Sequence, residues 1–231
     1  MTGLCLLAGL GAAGGSVVGF LATAHRHPSQ AQLTAAGQQE LATMWQRLSA
    51  GQIFPASVSY LIMHGTETKA TLVGIAPQAP CDSAVDAKAA AVLNAAGCVT
   101  VLRATYADAS QTALATIGIA VMRSARGAST VLYALGAGAD GGLLPVSFPG
   151  TEASAFTSKA RETYAAQGTA GPYVFLYAAG YSDGRSTTLE PIAVSGLGES
   201  VTTDLASGLM SALTTTFQAP ANPCADTSVR C

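Results

Sequence analysis

A run of glycines near the N-terminus is the first pattern that could support chemistry. Residues 9–14, GLGAAG, match the fingerprint with which dinucleotide-binding folds hold a pyrophosphate. That fingerprint also needs a second strand that ends in an acidic residue about 20 positions later and holds the ribose. Residues 25–39 have no strand pattern. The glycines therefore indicate an apolar helix rather than a nucleotide-binding loop, and we expect no cofactor.

The histidines and hydroxyl nucleophiles do not form a recognisable catalytic set. His25 and His27 could chelate a metal only with ligands from elsewhere, and no third ligand lies beside them. His64, in a predicted turn, is the only histidine in the rest of the chain and thus the only candidate base for a Ser-His-Asp triad. Ser158 and Lys159 are adjacent, so they lack the Ser-x-x-Lys spacing of penicillin-binding proteins. We expect neither enzymatic activity nor a bound metal.

Two pairs of aspartates could bring carboxylates together. Asp82 and Asp86 lie one turn apart at the start of a predicted helix, where Asp82 is the expected cap. Asp108 and Asp183 lie in two predicted turns of similar sequence and could jointly face a ligand or a calcium ion. Local hydrogen bonding alone also explains an aspartate in a hairpin turn. Asp108 and Asp183 are therefore the candidate ligand-facing positions, with turn formation as the simpler explanation.

Residues 3–24 predict a membrane-spanning helix. They carry no charge, and about 20 apolar residues are enough to cross a bilayer. Gly11, Gly15 and Gly19 form a stripe where a partner helix, or the same helix of a second copy, could pack closely. A small-x-small cleavage signal ends at Ala24, so the alternative is a secreted protein cleaved there. The length of the apolar stretch and the lack of basic residues before it favour the uncleaved anchor.

Cysteine usage indicates the side of the membrane on which the domain lies. Arg26 alone would favour the cytoplasmic side. Four cysteines outside the apolar segment form an even set, as expected where disulfides persist: Cys81, Cys98, Cys224 and Cys231. Three connectivities are open, and we expect the local pairs Cys81 with Cys98 and Cys224 with Cys231 because each closes a short loop. The sequence thus predicts a single-pass cell-membrane protein with an extracytoplasmic domain.

Composition excludes one class of partner. Charged residues make up 10% of the chain, apolar residues 49%, and the net charge is -2. Proteins that bind nucleic acid rely on a basic surface, which this composition does not supply. We therefore expect no nucleic-acid binding.

The chain is expected to divide into four parts. Residues 1–27 form the membrane anchor, and residues 28–56 form an amphipathic stalk helix and a linker. Residues 57–217 form the extracytoplasmic domain, and residues 218–231 form a proline-rich tail clipped by a disulfide. The apolar positions of the stalk helix are Leu41, Met44, Trp45 and Leu48.

An internal repeat is predicted within the domain. Residues 99–117 and 174–192 each show alternating apolar residues, a Tyr-x-Asp turn and a second strand pattern. Helical patterns surround them at residues 83–96, 124–135, 152–166 and 199–215. We therefore predict two tandem strand-helix-hairpin-helix units. The fold class is α+β with a mixed sheet, because hairpins pair strands antiparallel whereas helical crossovers pair them in parallel.

These patterns lead to a functional expectation. The glycine stripe, the poorly charged surface and the lack of a catalytic set predict a non-enzymatic, membrane-anchored extracytoplasmic module. It would act through protein–protein contacts, as an accessory subunit of a cell-envelope or secretion assembly. The alternative is an extracytoplasmic ligand-binding or sensor domain whose ligand lies in a cleft between the two repeated halves.

Overall fold

The computed structural model describes residues 29–61, 66–136, 142–186 and 192–216. The chain forms two units, one of residues 1–40 with 218–231 and one of Leu41–Phe217. Of the first unit only residues 29–40 are described, and nearly all of these are helical. The sheet and the helices that cover it belong to the second unit.

Six α-helices and six strands occur in the described residues, and they confirm the α+β class. The helices are α1 (Gln30–Thr43), α2 (Ala50–Ile53), α3 (Cys81–Ala84), α4 (Ala87–Ala95), α5 (Ala125–Leu135) and α6 (Ile192–Thr216). The strands are β1 (Ser57–Leu61), β2 (Glu67–Ile75), β3 (Cys98–Ala107), β4 (Ala113–Met122), β5 (Arg161–Ala170) and β6 (Tyr173–Tyr181).

The strands form one curled sheet in the order β1-β2-β3-β4-β6-β5. Every neighbouring pair is antiparallel. The centre of the sheet is buried on both faces: all of β4 and nearly all of β6 lie out of reach of solvent. Such strands read as continuous apolar runs rather than as an alternating pattern.

Helix α6 covers the concave face of the curled sheet. Leu197, Val201, Leu205 and Leu209 recur every fourth residue, and all four are buried in one apolar cluster with side chains from β4 and β6. The helix contacts the strands at both edges of the sheet, β1 and β5, as well as β4 and β6. The sheet thus wraps around α6.

Helices α3, α4 and α5 cover the opposite face. Their buried side chains form a second apolar cluster with β3, β4 and β6. A disulfide joins Cys81 at the start of α3 to Cys98 at the start of β3, as the sequence predicts. The bond fastens the helical layer to the sheet at the point where the chain re-enters it.

Helix α4 is capped by Asp86 and not, as predicted, by Asp82. Asp82 is exposed in the short helix α3, whereas Asp86 begins α4 and its carboxylate accepts a hydrogen bond from the Ala89 N–H at 3.2 Å. The sequence pattern predicts a single helix here, but the chain is extended at Val85 between α3 and α4. Asp86 is therefore the residue with the non-helical backbone that a cap requires.

The prediction of a mixed sheet is wrong, because the sheet is antiparallel throughout. A single crossover helix would carry the chain to the far end of the sheet and pair the next strand in parallel. Between β2 and β3 the chain instead forms two short helices, α3 and α4. Strand β3 then begins at the same end of the sheet at which β2 ends, so the two strands are antiparallel.

The predicted duplication is also wrong. The segment 152–166, predicted to be a helix, contains the first part of β5. Ile192, predicted to lie in a returning strand, begins α6. Tyr106 is fully buried and its hydroxyl donates to the Pro55 carbonyl, whereas Tyr181 is partly exposed beneath the Arg185 guanidinium. Residues 174–192 are therefore not a second copy of the β3–β4 hairpin.

Several predictions concern residues outside the described part. The anchor with Gly11, Gly15 and Gly19, the cleavage signal at Ala24 and the tail with Cys224 and Cys231 all lie there. Within the described ranges, no helix combines the length and the hydropathy needed to cross a membrane.

Candidate functional site

An open groove of about 450 Å³ lies between the edge strand β1 and helix α6, and we call it the β1–α6 groove. The strands contribute Ser59, Tyr60, Leu61 and Glu67, and the helix contributes Glu199, Ser200, Thr203 and Asp204. The groove exists because the apolar stripe of α6 faces the centre of the sheet. The polar residues of α6 are thereby left beside the edge strand.

Three carboxylates give the β1–α6 groove a negative charge. Glu67, Glu199 and Asp204 line it, and none of the described residues that line it is a lysine, arginine or histidine. Glu199 accepts a hydrogen bond from the Gln167 side chain at 3.3 Å. Partial burial raises the pKa of the Asp204 carboxyl. The groove is therefore suited to a cationic partner rather than an anionic one.

Tyr60 is the phenol among the described residues that line the β1–α6 groove. Burial, and secondly the charge of Asp108, raise the pKa of this phenol. Its hydroxyl therefore stays protonated at neutral pH and can donate a hydrogen bond, but it cannot serve as a base.

A second cavity lies on the other side of α6, between that helix and strands β5 and β6. Its volume is about 410 Å³, within the range of small-molecule sites. It is lined by Gln167, Gly168, Phe175, Thr202, Thr203, Ala206 and Ser207. Four of these residues carry polar groups, but most of the surface that the seven present to the cavity is nonpolar, so the cavity would take an apolar group.

Asp108 and Asp183 lie in turns at the same end of the central strands. The turns come together because Ala113 pairs with Tyr181, and the Ser182 N–H donates to the Thr112 carbonyl. Each carboxylate is nevertheless satisfied within its own turn.

The Asp108 carboxylate accepts hydrogen bonds from the Thr112 and Ala113 N–H groups and from the Ser110 hydroxyl. The Asp183 carboxylate accepts from the Arg185 N–H and forms an ion pair with the Arg185 guanidinium at 3.3 Å. Turn formation accounts for both residues.

Residues 180–184, GYSDG, spell the Gly-x-Ser-x-Gly pattern of a hydrolase nucleophile turn, which the predictions from sequence overlooked. In that turn the serine connects a strand directly to a helix. Here Ser182 follows β6, and the Gly184 N–H closes a turn onto the Tyr181 carbonyl without a helix in residues 182–186. All three histidines lie outside the described residues, so no base is seen beside Ser182. The pattern marks a turn.

A polar cluster on the opposite face has a structural role. The Asp86 carboxylate caps α4, accepts from the Gly142 N–H at 2.7 Å and pairs with the Arg161 guanidinium at 3.4 Å. The same guanidinium donates to the Leu143 carbonyl and stacks on the Tyr164 ring, 4.0 Å from its centroid. Every charge in this cluster has a partner, so the cluster fastens α4 and β5 together and offers no free reactive group.

In the described ranges no set of three acidic, histidine or cysteine side chains could hold a metal ion. The residues of the β1–α6 groove were missed by the predictions from sequence. A usable signal was present for α6: its apolar residues lie on one stripe, so Glu199, Thr203 and Asp204 had to face elsewhere. Their proximity to β1 depends on the curl of the sheet, which the sequence pattern does not reveal.

Comparison with known proteins gives no relatives. No protein-family model matches this chain, and no curated protein or solved structure is significantly similar to it.

Proposed function

We propose that this chain is a non-enzymatic, membrane-anchored extracytoplasmic module that acts through protein contacts, as an accessory subunit of a cell-envelope or secretion assembly. The proposal rests on the exposure of the outer edge of β1. This strand is at the edge of the sheet, and Leu61 at its end is 63% exposed beside the β1–α6 groove. An exposed strand edge with an apolar side chain is suited to a protein partner.

The compartment and the anchor rest on separate observations. The Cys81–Cys98 disulfide supports an oxidising compartment, because such bonds are rare where thiols are kept reduced. The uncharged residues 3–24 support an anchor, and their glycine stripe supports pairing with a second transmembrane helix.

The chemistry of the groove describes the partner. An extended segment that adds to β1 would form main-chain hydrogen bonds with the edge that no described strand occupies. Alternate side chains of that segment would face the groove, where Glu199 and Asp204 favour lysine or arginine. Leu61 would cover an apolar side chain of the partner.

Site-specific photocrosslinking in native membranes tests this surface. A photoreactive residue at Leu61 should capture one discrete partner, whereas the same residue at Tyr133 should not. Tyr133 is a matched control because it is also a large apolar side chain, 94% exposed, on helix α5. Leu61→Asp should abolish copurification of that partner, and Tyr133→Asp should leave it unchanged. Equal crosslinking at both positions would contradict the proposal.

The anchor is tested independently. The protein purified from membranes should retain residues 1–24 and require detergent, as determined by intact mass and N-terminal sequencing. A freely soluble product that begins at His25 would instead establish the secreted form.

Ligand binding is a second candidate function, favoured by the cavity between α6 and β5–β6. This cavity takes the place of the cleft that was predicted between two repeated halves, because the described residues do not form two such halves. An apolar fluorophore such as anilinonaphthalene sulfonate should bind the folded protein with saturation. Ala206→Leu should reduce that binding, and Ala134→Leu on the exposed side of α5 should not. Identical binding by both variants would refute this candidate.

A further inference from the structure

Arg103 carries a charge that no described group neutralises. It lies in the middle of β3, opposite Gly118 of β4. Its Nε atom is buried and has no hydrogen-bond partner in the described part of the chain, and no ion pair to Arg103 is found there. Burial lowers the pKa of the guanidinium. The stem of this side chain is thus enclosed without a counter-charge.

Two segments lie beside Arg103, one at residues 143–146 and one at Ala76. Side chains alternate along a strand, so Arg103 lies on the same face as Thr105, whose hydroxyl donates to the Val146 carbonyl at 2.8 Å. The Leu143 side chain lies over Gly118, and the Ala76 N–H donates to the Arg103 carbonyl. The side chain as a whole remains partly exposed. An ion could therefore approach the end of the guanidinium from solvent.

Another arginine of the domain shows how such a charge is usually accommodated. The Arg161 side chain is 15% exposed, and its guanidinium has an aspartate, a backbone carbonyl and a tyrosine ring as partners. Among the described residues Arg103 has no ion pair and no ring contact, and its Nε atom has no hydrogen-bond partner. A partly desolvated cation without a partner is costly, and binding of an anion would remove that cost.

We propose that Arg103 anchors an anion-binding site, in which its guanidinium binds the oxyanion group, carboxylate or phosphate, of an acidic ligand. Two parallel N–H donors of an arginine match two oxygens of either group, which gives both affinity and orientation. The site lies on the opposite face of the sheet from the β1–α6 groove and does not depend on the function proposed for that groove.

Titration followed by nuclear magnetic resonance tests the site. The full-length protein in detergent is titrated with sodium phosphate and, separately, with sodium acetate, while sodium chloride keeps the ionic strength constant. The Nε–Hε signal of Arg103 should shift with saturation in at least one arm, with half-saturation at about millimolar concentration, a typical affinity for one small anion. The arm that saturates distinguishes phosphate from carboxylate.

Arg126, which is exposed on α5, is the internal control. Its Nε–Hε signal should shift only slightly and without saturation, as expected from general screening. Arg103→Gln should abolish the saturable change at neighbouring amide signals, such as that of Gly118. If that variant does not fold, the native titration still decides: linear shifts of Arg103 in both arms, no larger than those of Arg126, would overturn the proposal.

Discussion

Gly198→Ala should weaken the packing of α6 against the sheet, because this glycine lies where helix and sheet approach closely. A β-carbon at position 198 would lie 2.5 Å from the Cδ2 atom of Tyr177 and 3.1 Å from the Cβ atom of Ala179. Tyr177 is buried within β6 and cannot move aside easily. Alanine in place of Gly198 would therefore push α6 away from β6.

Gly208→Ala is the matched control on the same helix. Gly208 is exposed, and a β-carbon at this position would meet no atom of the described residues within 4 Å, apart from its chain neighbours and its own helix backbone, so alanine fits there without a clash. Alanine favours a helix interior over glycine by about 0.5–1 kcal/mol, and this gain applies to both variants. Overpacking costs about 1–3 kcal/mol and applies only to Gly198→Ala. The difference between the two variants therefore isolates the packing cost.

Urea unfolding of the full-length protein measures that difference. The fluorescence of Trp45, the single tryptophan, reports the transition because its side chain packs against the cluster that α6 covers. With a slope of about 1–3 kcal/mol per molar urea, the midpoint of Gly198→Ala should lie about 1 M below that of Gly208→Ala. Equal midpoints, or a higher one for Gly198→Ala, would show that α6 does not approach β6 at this residue.

Three further predictions concern the opposite face. Thr105→Val should lower the free energy of unfolding by about 1–3 kcal/mol, because the partly buried Val146 carbonyl loses its hydroxyl donor and the buried Thr116 hydroxyl keeps only the Val146 N–H as a partner. Thr130→Val, on the exposed side of α5, should change it by less than about 0.5 kcal/mol in the same urea assay. Replacing Cys81 and Cys98 by serine should cost about 3 kcal/mol, given their separation of 17 residues, and reduced native protein should match the double variant. Asp86→Ala should cost about 1–2 kcal/mol and accelerate amide hydrogen exchange in the first turn of α4; unchanged exchange there would refute its capping role.

Local patterns predicted the elements that have one buried and one exposed face. The alternation from Val58 onward indicates β1. The helical pattern predicted at residues 124–135 is α5, which Ser124 caps. β3 is predicted at Val99–Tyr106 and spans Cys98–Ala107. Its first residues depart from the prediction: Val99 is 52% exposed because a bulge between Cys98 and Thr100 interrupts the alternation.

Strand β5 could not be predicted from local pattern. Its sequence, RETYAAQGTA, is rich in residues that favour helices and shows no alternation. The segment is a strand because β6 pairs with it along its whole length, while α5 and α6 contact it from the two faces of the sheet. Tertiary contacts therefore override the local preference. The predicted duplication failed for the same reason, because it required a helix at this position.

Helix α6 packs on the centre of the sheet and reaches both of its edge strands, and the candidate site follows from that position. The sheet ends at β1 and β5, and α6 contacts both. A helix is about 10 Å wide and round, so it cannot form the continuous hydrogen bonds with which a strand would close the gap. Space remains on both sides of it, which gives the β1–α6 groove on one side and the apolar cavity on the other. Two bulges interrupt the edge strand β5, which makes it a poor template for a further strand, whereas β1 is regular throughout its pairing with β2. Of the two edges, β1 is therefore the one at which a partner strand can add.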